Sequence, residues 1–359
     1  MVPRLLVLQK HFTNGHGGVP ETTLALARLL ASAEVAVDVL AETGLVRDVG
    51  ELMALPDLAD HTDAVRWPDY QALIVVGGWV PRALPACIQA RRYRERVIYA
   101  PRGALARTEF KRPRDLRKLP YLAAIELPMI QRADRVLFSS QLEADSSLIP
   151  ARLKRRSVVL PDPFFASATP PMARTAVRVK RYGFIAEISP GKGLLELAKA
   201  FKIALQRVPP DSAELHIAGV PRPGSERYLE HVRRELEVVE HKVIWHGSVR
   251  GPEREAFYRA VDCLIAPSRM ESYGLTPLEA LARGVPAIVS PHFGVIEHIP
   301  RSEAVRILPS RAPLDIADAL SDHDWLISAA NIAPRYTVDA LAPLRGAELA
   351  RRYRKLLVG

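Results

Sequence analysis

Two cysteines in 359 residues, Cys87 and Cys263, exclude a disulfide framework, and neither lies in a metal-binding spacing. Aromatic residues are also scarce at 6%, so a large core has to be aliphatic. No run approaches the ~18 uninterrupted apolar residues that a spanning helix needs. The short apolar run in MVPRLLVLQKHF is too brief for a signal-peptide core. Secreted, membrane-spanning, collagenous and disordered classes are thereby set aside. A reducing compartment, the cytoplasm, is the natural reading. Lysine is the remaining scarcity: 10 of the 50 basic residues are Lys and 40 are Arg.

What is present is an ordinary globular balance, 48% hydrophobic and 25% charged, long enough for about two domains. The net charge is +10. Residues 91–118 hold 11 basic and 3 acidic side chains, a concentration of charge that suits an anionic partner or a solvated surface equally well. Short Val/Ile/Leu runs alternate with helical segments, as in parallel sheets covered on both faces. Strands are expected at 5–9, 35–41, 72–78, 96–100 and 135–140, then at 181–186, 214–219, 242–247, 263–268 and 286–290. PDPFFASATPPMART (161–174) reads as a linker, and RGAELARRYRKLL (345–357) as a closing amphipathic helix. The expected fold is α/β, with two doubly wound Rossmann-like domains facing across a cleft that takes the substrate. The domains are 1–162 and 163–339, with a helix at about 340–359 that can pack back onto the first.

The stretch APSRMESYGLTPLEALARGVPAIVS (266–290) carries the chemistry. Glu271 lies in a loop and Glu279 on the first turn of a helix eight positions later. Between them Tyr273, Gly274, Leu275 and Thr276 offer backbone N–H groups beside a helix N-terminus, a site for a diphosphate. On its own residues Glu279 has a second reading, since Thr276-Pro277-Leu278-Glu279 fits a capping box. Glu271 has no such alternative.

This stretch resembles the E-x7-E element of retaining GT-B glycosyltransferases, family four. YGFIAEISPGKGLLELAKAF (182–201) resembles the family's strand–loop–helix segment, and NGHGGVPETTLALARLL its N-terminal Gly-Gly-Val loop. The resemblance implies transfer of a sugar from a nucleotide-diphosphate sugar to an acceptor hydroxyl with retention, without metal or other cofactor. It implies that Glu271 binds the donor sugar, Glu279 the ribose, and that Lys192 neutralises the departing diphosphate. Gly193, Ser272, Tyr273, Gly274, Leu275 and Thr276 would lie along the donor. His246 and Gly247 would lie near the base, and Gly17 and Gly18 would close over the phosphates. Arg102, in PRGAL, resembles an element of relatives that extend lipid-linked or surface polysaccharides. It would face the acceptor or the phosphates, with Trp79 and His16 on the same side; packing is an equal reading for Trp79, and polar filler the commoner one for His16. The family's Gly-Arg pair is Ala186-Glu187 here: another arginine compensates, Glu187 turns away, or donor binding is weaker. Residues 91–118 would hold the protein on an anionic inner membrane face near a lipid-linked acceptor. A soluble sugar or metabolite acceptor is the alternative, and a degenerate non-catalytic binder a further one. Clustered arginines without interleaved aromatics speak against nucleic acid. Asp322-His323-Asp324 is read as polar surface, not as a metal site.

Overall fold

The computed structural model describes residues 2–12, 18–42, 44–52, 65–80, 82–110, 117–165, 180–209 and 212–359, the side chains of 335–340 excepted. The chain forms two compact units, Met1–Phe165 with Ala342–Gly359, and Ala166–Leu341.

The first unit is built on a sheet of β1 (Arg4–Leu8), β2 (Ala36–Ala41), β3 (Gly44–Val46), β4 (Ala72–Val76), β5 (Arg96–Ala100), β6 (Arg135–Phe138) and β7 (Ser157–Val159). Their order is β3-β2-β1-β4-β5-β6-β7. All pairs are parallel except β2–β3, whose register sets Val39 opposite Val46. Successive strand residues point to opposite faces, and both faces are covered. Leu5, Val7, Val37 and Ile98 pack on one side with Leu26 and Leu30 of α1 (Gly18–Ala31). Leu6, Leu8, Val97 and Tyr99 pack on the other with Cys87 of α2 (Ala83–Arg92). That double cover is why the strands are continuous apolar runs instead of alternating ones. Further helices are α3 (Leu119–Tyr121), α4 (Leu127–Arg132), α5 (Gln141–Ser146) and α6 (Ala151–Lys154), with a π-helical turn at Leu122–Glu126 between α3 and α4. The C-terminal helix Ala347–Leu357 belongs to this unit: Leu349, Tyr353 and Leu357 enter the first cluster, and the Tyr353 hydroxyl donates to the Pro161 carbonyl at 3.0 Å.

The second unit holds β8 (Lys180–Ile185), β9 (Ala213–Ala218), β10 (Val243–Gly247), β11 (Cys263–Ala266), β12 (Ala287–Val289) and β13 (Val305–Ile307), all parallel in the order β10-β9-β8-β11-β12-β13. Around it run α7 (Leu194–Leu205), α8 (Glu226–Leu236), α9 (Gly251–Ala260), α10 (Thr276–Ala282), α11 (Pro313–Ser321) and α12 (His323–Leu341). Phe184, Ile217 and Cys263 pack with Leu197 and Phe201 of α7 and Ile316 and Leu320 of α11. Each such fully buried aliphatic side chain contributes roughly 1.5–3 kcal/mol.

All ten expected strands are present. The structure adds β3, β7 and β13, each of three residues and each part-exposed, so that none shows the continuous buried apolar run by which the equally short β12 is recognised. The strand at 135–140 stops at Phe138 because Ser140 caps α5, its Oγ accepting from the Glu143 N–H at 3.0 Å. Residues 166–174 of the expected linker lie outside the described residues. Within the basic stretch 91–118 the described residues up to 110 do not lie together. β5 occupies 96–100, and at about 3.3 Å per residue it carries the residues before it, Arg91–Arg94, and the first after it, Arg102–Arg107, to opposite ends of the sheet; residues 111–116 lie outside the described residues. No helix among the described residues is long and apolar enough to cross a membrane.

Candidate functional site

In the second unit the loops leaving β8, β11 and β12 converge at the carboxyl edge of the sheet, where open α/β sheets take ligands. The loop after β8 is pressed onto the exit of β11. The Arg269 N–H donates to the Gly191 carbonyl at 2.7 Å, and Lys192 N–H to Ser189 at 3.0 Å. Gly193 caps α7 at φ 79°, and a Cβ there would stand 2.2 Å from the Pro267 carbonyl oxygen. Only glycine meets both demands. This places the Lys192 ammonium 2.6 Å from Glu271 Oε1, both side chains partly open to solvent. Glu271 is fixed by its backbone: its N–H donates to the His292 carbonyl at 2.8 Å, and its carbonyl accepts from Gly294 at 3.0 Å. Lys192 and Glu271, 79 positions apart in the chain, therefore form one charged pair at the sheet edge.

From Glu271 the chain runs through Ser272 to Tyr273, which is buried, its carbonyl accepting from the Val295 N–H at 2.9 Å and its ring 5.9 Å from that of His298. At Gly274 φ is 89°, and a Cβ would meet the Phe293 ring at 2.4 Å, so this turn is also closed to other residues. α10 then begins at Thr276 with Leu275 at the cap position and no side-chain cap. The capping-box reading is corrected: with Thr276 already inside the helix, Glu279 has no cap to serve. Its carboxylate is buried instead and accepts from Arg254 Nη2 at 2.5 and 2.6 Å and from the Tyr258 hydroxyl at 2.6 Å. Burial, reinforced by that carboxylate, pushes the Tyr258 hydroxyl well above the usual phenol range, so it stays a donor.

Arg254 and Tyr258 carry no motif and went unread in the sequence. Their i,i+4 spacing on α9 sets both on the face toward Glu279, and a buried tyrosine four residues after an arginine was the available sign. Arg311 was unread as well. It donates to the Pro267 carbonyl at 2.7 Å and to Glu196 at 2.7 Å, clamping the start of α7. Glu187 is paired with Arg222 at the surface, so its charge is met by an arginine 35 positions on, just beyond the next strand, β9.

His246 falls at a bulge, where the β10–β9 register shifts between Trp245 and Gly247. A bulge re-aims the extra side chain. The His246 ring stacks on His216, with Nε2 3.0 Å from Nδ1, and meets Phe257 edge-on. Burial lowers the pKa of both histidines, and for His216 the His246 charge lowers it further. Gly247 follows at φ 66° with open space around it.

The first unit holds the other sequence candidates. Gly18 is the first residue of α1; Gly17 and His16 lie outside the described residues. Arg102, at φ 48°, is buried with its Nη2 2.6 Å from Asp162, whose carboxyl burial pushes up to about 6. Trp79 sits at φ 63°, and its N–H donates to Glu126 Oε1 at 2.6 Å. Its ring lies 6.1 Å from Phe110 and 5.4 Å from Tyr121, with Lys118 Nζ 5.6 Å over its face. Asp322 has structural work: it accepts from the Trp325 N–H at 3.0 Å at the start of α12 and pairs with Arg306 at 2.7 Å. Among the described residues no group of three or more His, Cys, Asp or Glu is placed to hold a metal ion.

Residues 179–323 match the family described as glycosyl transferases group 1. A D-inositol 3-phosphate glycosyltransferase of Corynebacterium urealyticum is 28% identical over 220 residues, 56% of this chain and 51% of that protein. The chain thus spans about half the length of this curated relative. HepE of Anabaena, solved with UDP-glucose, superimposes with a TM-score of 0.71 at 15% identity, over 99% of both chains. Sucrose-phosphate synthase of Thermosynechococcus elongatus does so at 0.71 and 18% identity, again over 99% of both. At such identities the likeness is one of fold. The fold is GT-B, as the resemblance in the sequence implies.

Proposed function

We propose, from the premise that residues 179–323 belong to the glycosyl transferases group 1, that this chain is a retaining, metal-independent hexosyltransferase using a nucleotide-diphosphate sugar. The observation that carries the reading is the convergence of Lys192 on Glu271, with Glu279 buried eight residues beyond it and held by Arg254 and Tyr258. Cleaving a glycosyl–phosphate bond builds negative charge on the leaving diphosphate and oxocarbenium character on the sugar. A fixed ammonium answers the first, and the loss of one such group costs about 10²–10³ in rate. Glu271 accepts from donor-sugar hydroxyls and Glu279 from the ribose. The sugar C1–O bond to the diphosphate breaks, a C1–O bond to the acceptor oxygen forms on the same face, and the departing phosphate oxygen takes the acceptor hydroxyl's proton, so configuration is retained.

The acceptor we assign is a lipid-linked or surface-polysaccharide glycan intermediate, handled in the cytoplasm at the inner membrane face. The PRGAL segment and the aromatic setting of Trp79 support this. A soluble acceptor is the second reading, favoured by the name of the inositol-phosphate relative. The test is a thermal-shift series with UDP, GDP, ADP and TDP, each with and without EDTA. A ligand at 100 times its dissociation constant adds about 2.7 kcal/mol. One nucleotide should raise the melting temperature equally in both conditions. A shift abolished by EDTA refutes metal independence, and no shift with any nucleotide refutes the donor site.

A further inference from the structure

We infer that the amino-end rim of the first unit's sheet, on the β5–β6–β7 side, is a docking surface for an anionic bilayer. Four segments distant in sequence meet there. The α2–β5 turn, the α4–β6 turn and the α6–β7 turn deliver residues to the starts of three neighbouring strands. The end of the C-terminal helix joins them, since Arg96 Nη1 donates to the carbonyls of Lys355 at 3.3 Å and Leu356 at 2.9 Å. Arg91 ties the first two turns, donating to the Arg132 carbonyl at 3.0 Å and to Asp134 at 2.8 Å. Arg156 ties the third, donating to the Ala133 carbonyl at 3.2 Å.

Residues 91–96, 132–135, 152–156 and 351–355 together hold fourteen basic side chains and two acids, Glu95 and Asp134. Asp134 is matched by Arg91, and Glu95 is buried, so neither offsets the surface charge. Helix C-termini on this rim do attract cations, each with about half a negative charge. Four of them account for about two charges, far short of the excess. Arg92, Arg94, Arg135, Arg155 and Lys355 are all exposed.

Lipid is favoured over nucleic acid by what lies among the arginines. Tyr93, 51% exposed, and Ile88, 38% exposed, stand at the end of α2, as side chains that enter an interfacial layer do. Tyr93 is the one aromatic ring exposed on these segments, whereas a single-strand platform needs several. The inference rests on the lipid-linked acceptor reading for its purpose. It also narrows that reading, because Arg102 follows the carboxyl end of β5 and Trp79 that of its neighbour β4, about 15 Å from the amino ends of these strands. An acceptor reached from a rim-docked enzyme stands off the membrane, as the outer sugars of a lipid-linked oligosaccharide do.

The experiment is flotation with vesicles of 30% phosphatidylglycerol in phosphatidylcholine at 150 mM salt, without donor or acceptor. Each basic residue near such a surface is worth about fivefold in binding. The triple variant Arg92→Gln, Arg155→Gln, Lys355→Gln should therefore bind about 100-fold more weakly. The control Arg227→Gln, Arg234→Gln, Arg259→Gln removes as much charge from the second unit and should bind as the parent does. Circular dichroism melts check that both fold. Binding of the parent should vanish on pure phosphatidylcholine and fall steeply at 0.5 M salt. No flotation of the parent, equal losses in both triple variants, or gel-shift binding to a DNA duplex tighter than to vesicles would overturn the inference. A failed nucleotide thermal shift would leave it untouched, so the two readings fail separately.

Discussion

Replacing Glu279 by Ala should unfold the second unit earlier by an amount the structure sets. The substitution removes the carboxylate to which both the Arg254 guanidinium, 27% exposed, and the buried Tyr258 hydroxyl donate. Breaking a buried ion pair costs about 3–5 kcal/mol. Water reaching the partly exposed arginine reduces that to roughly 2–3 kcal/mol. At ~2–4 °C per kcal/mol for a unit of this size, the melting temperature should fall by about 5–10 °C. Arg254→Ala should cost a similar amount by leaving the buried carboxylate with the neutral Tyr258 donor but without the Arg254 cation. The double variant should cost scarcely more than either, a coupling of about 1–3 kcal/mol. Urea unfolding followed by tryptophan fluorescence, with Trp245 and Trp325 in the second unit, gives the cycle directly. Additive losses, or an Ala variant melting within 1 °C of the parent, would refute the account of Glu279 as a carboxylate held by Arg254 and Tyr258. Glu279→Gln retains an acceptor for Tyr258 and should keep more stability while weakening nucleoside diphosphate binding.

Lys192→Ala should lower turnover by about 10²–10³ with less than about 1 kcal/mol lost in stability, because its pair with Glu271 is solvent-accessible; urea melts and donor-consumption rates check both. Gly193→Ala should cost more than about 2 kcal/mol in urea unfolding, whereas Gly224→Ala, at φ 81° with nothing within 4 Å, should cost about 1. Arg102→Met should destabilise the first unit by about 3 kcal/mol, since it removes the cation 2.6 Å from the buried Asp162 carboxylate; near-wild-type melting would refute the buried pair. The two units should respond to pH with opposite sign. In the second, His216 and His246 are held below 6.5, so the unfolded chain binds more protons and stability falls as pH drops below about 6.5; His216→Gln should flatten that loss. In the first, burial pushes Glu95 up to about 7, so the folded chain binds the extra proton and stability falls as pH rises from about 4.5 to 7. Glu95→Gln should raise the first unit's stability by about 1–2 kcal/mol at pH 8 and change little at pH 5.

The sequence by itself determined ten strands, because each carries a continuous apolar run bounded by turn residues. It also determined the places of Glu271, Gly274 and Glu279, because a loop, a left-handed turn and a short helix are local matters within ten residues. β3, β7 and β13 were beyond it: they are short and part-exposed, with no continuous buried run such as β12 has, and their strand state comes from the neighbour that supplies the ladder hydrogen bonds. The partners of the site were beyond it too. Lys192 meets Glu271 across 79 residues, and Glu279 meets Arg254 across 25, because separate strands of one sheet end at the same edge. A capping box and a buried ion-pair acceptor look alike until the helix start is known, and one residue's shift in that start decided between them. The same physics separated the two flanks of β5 within 91–110 and assembled another patch. A strand carries its flanking charges to opposite edges of a sheet, and parallel neighbours bring remote arginines to the same one.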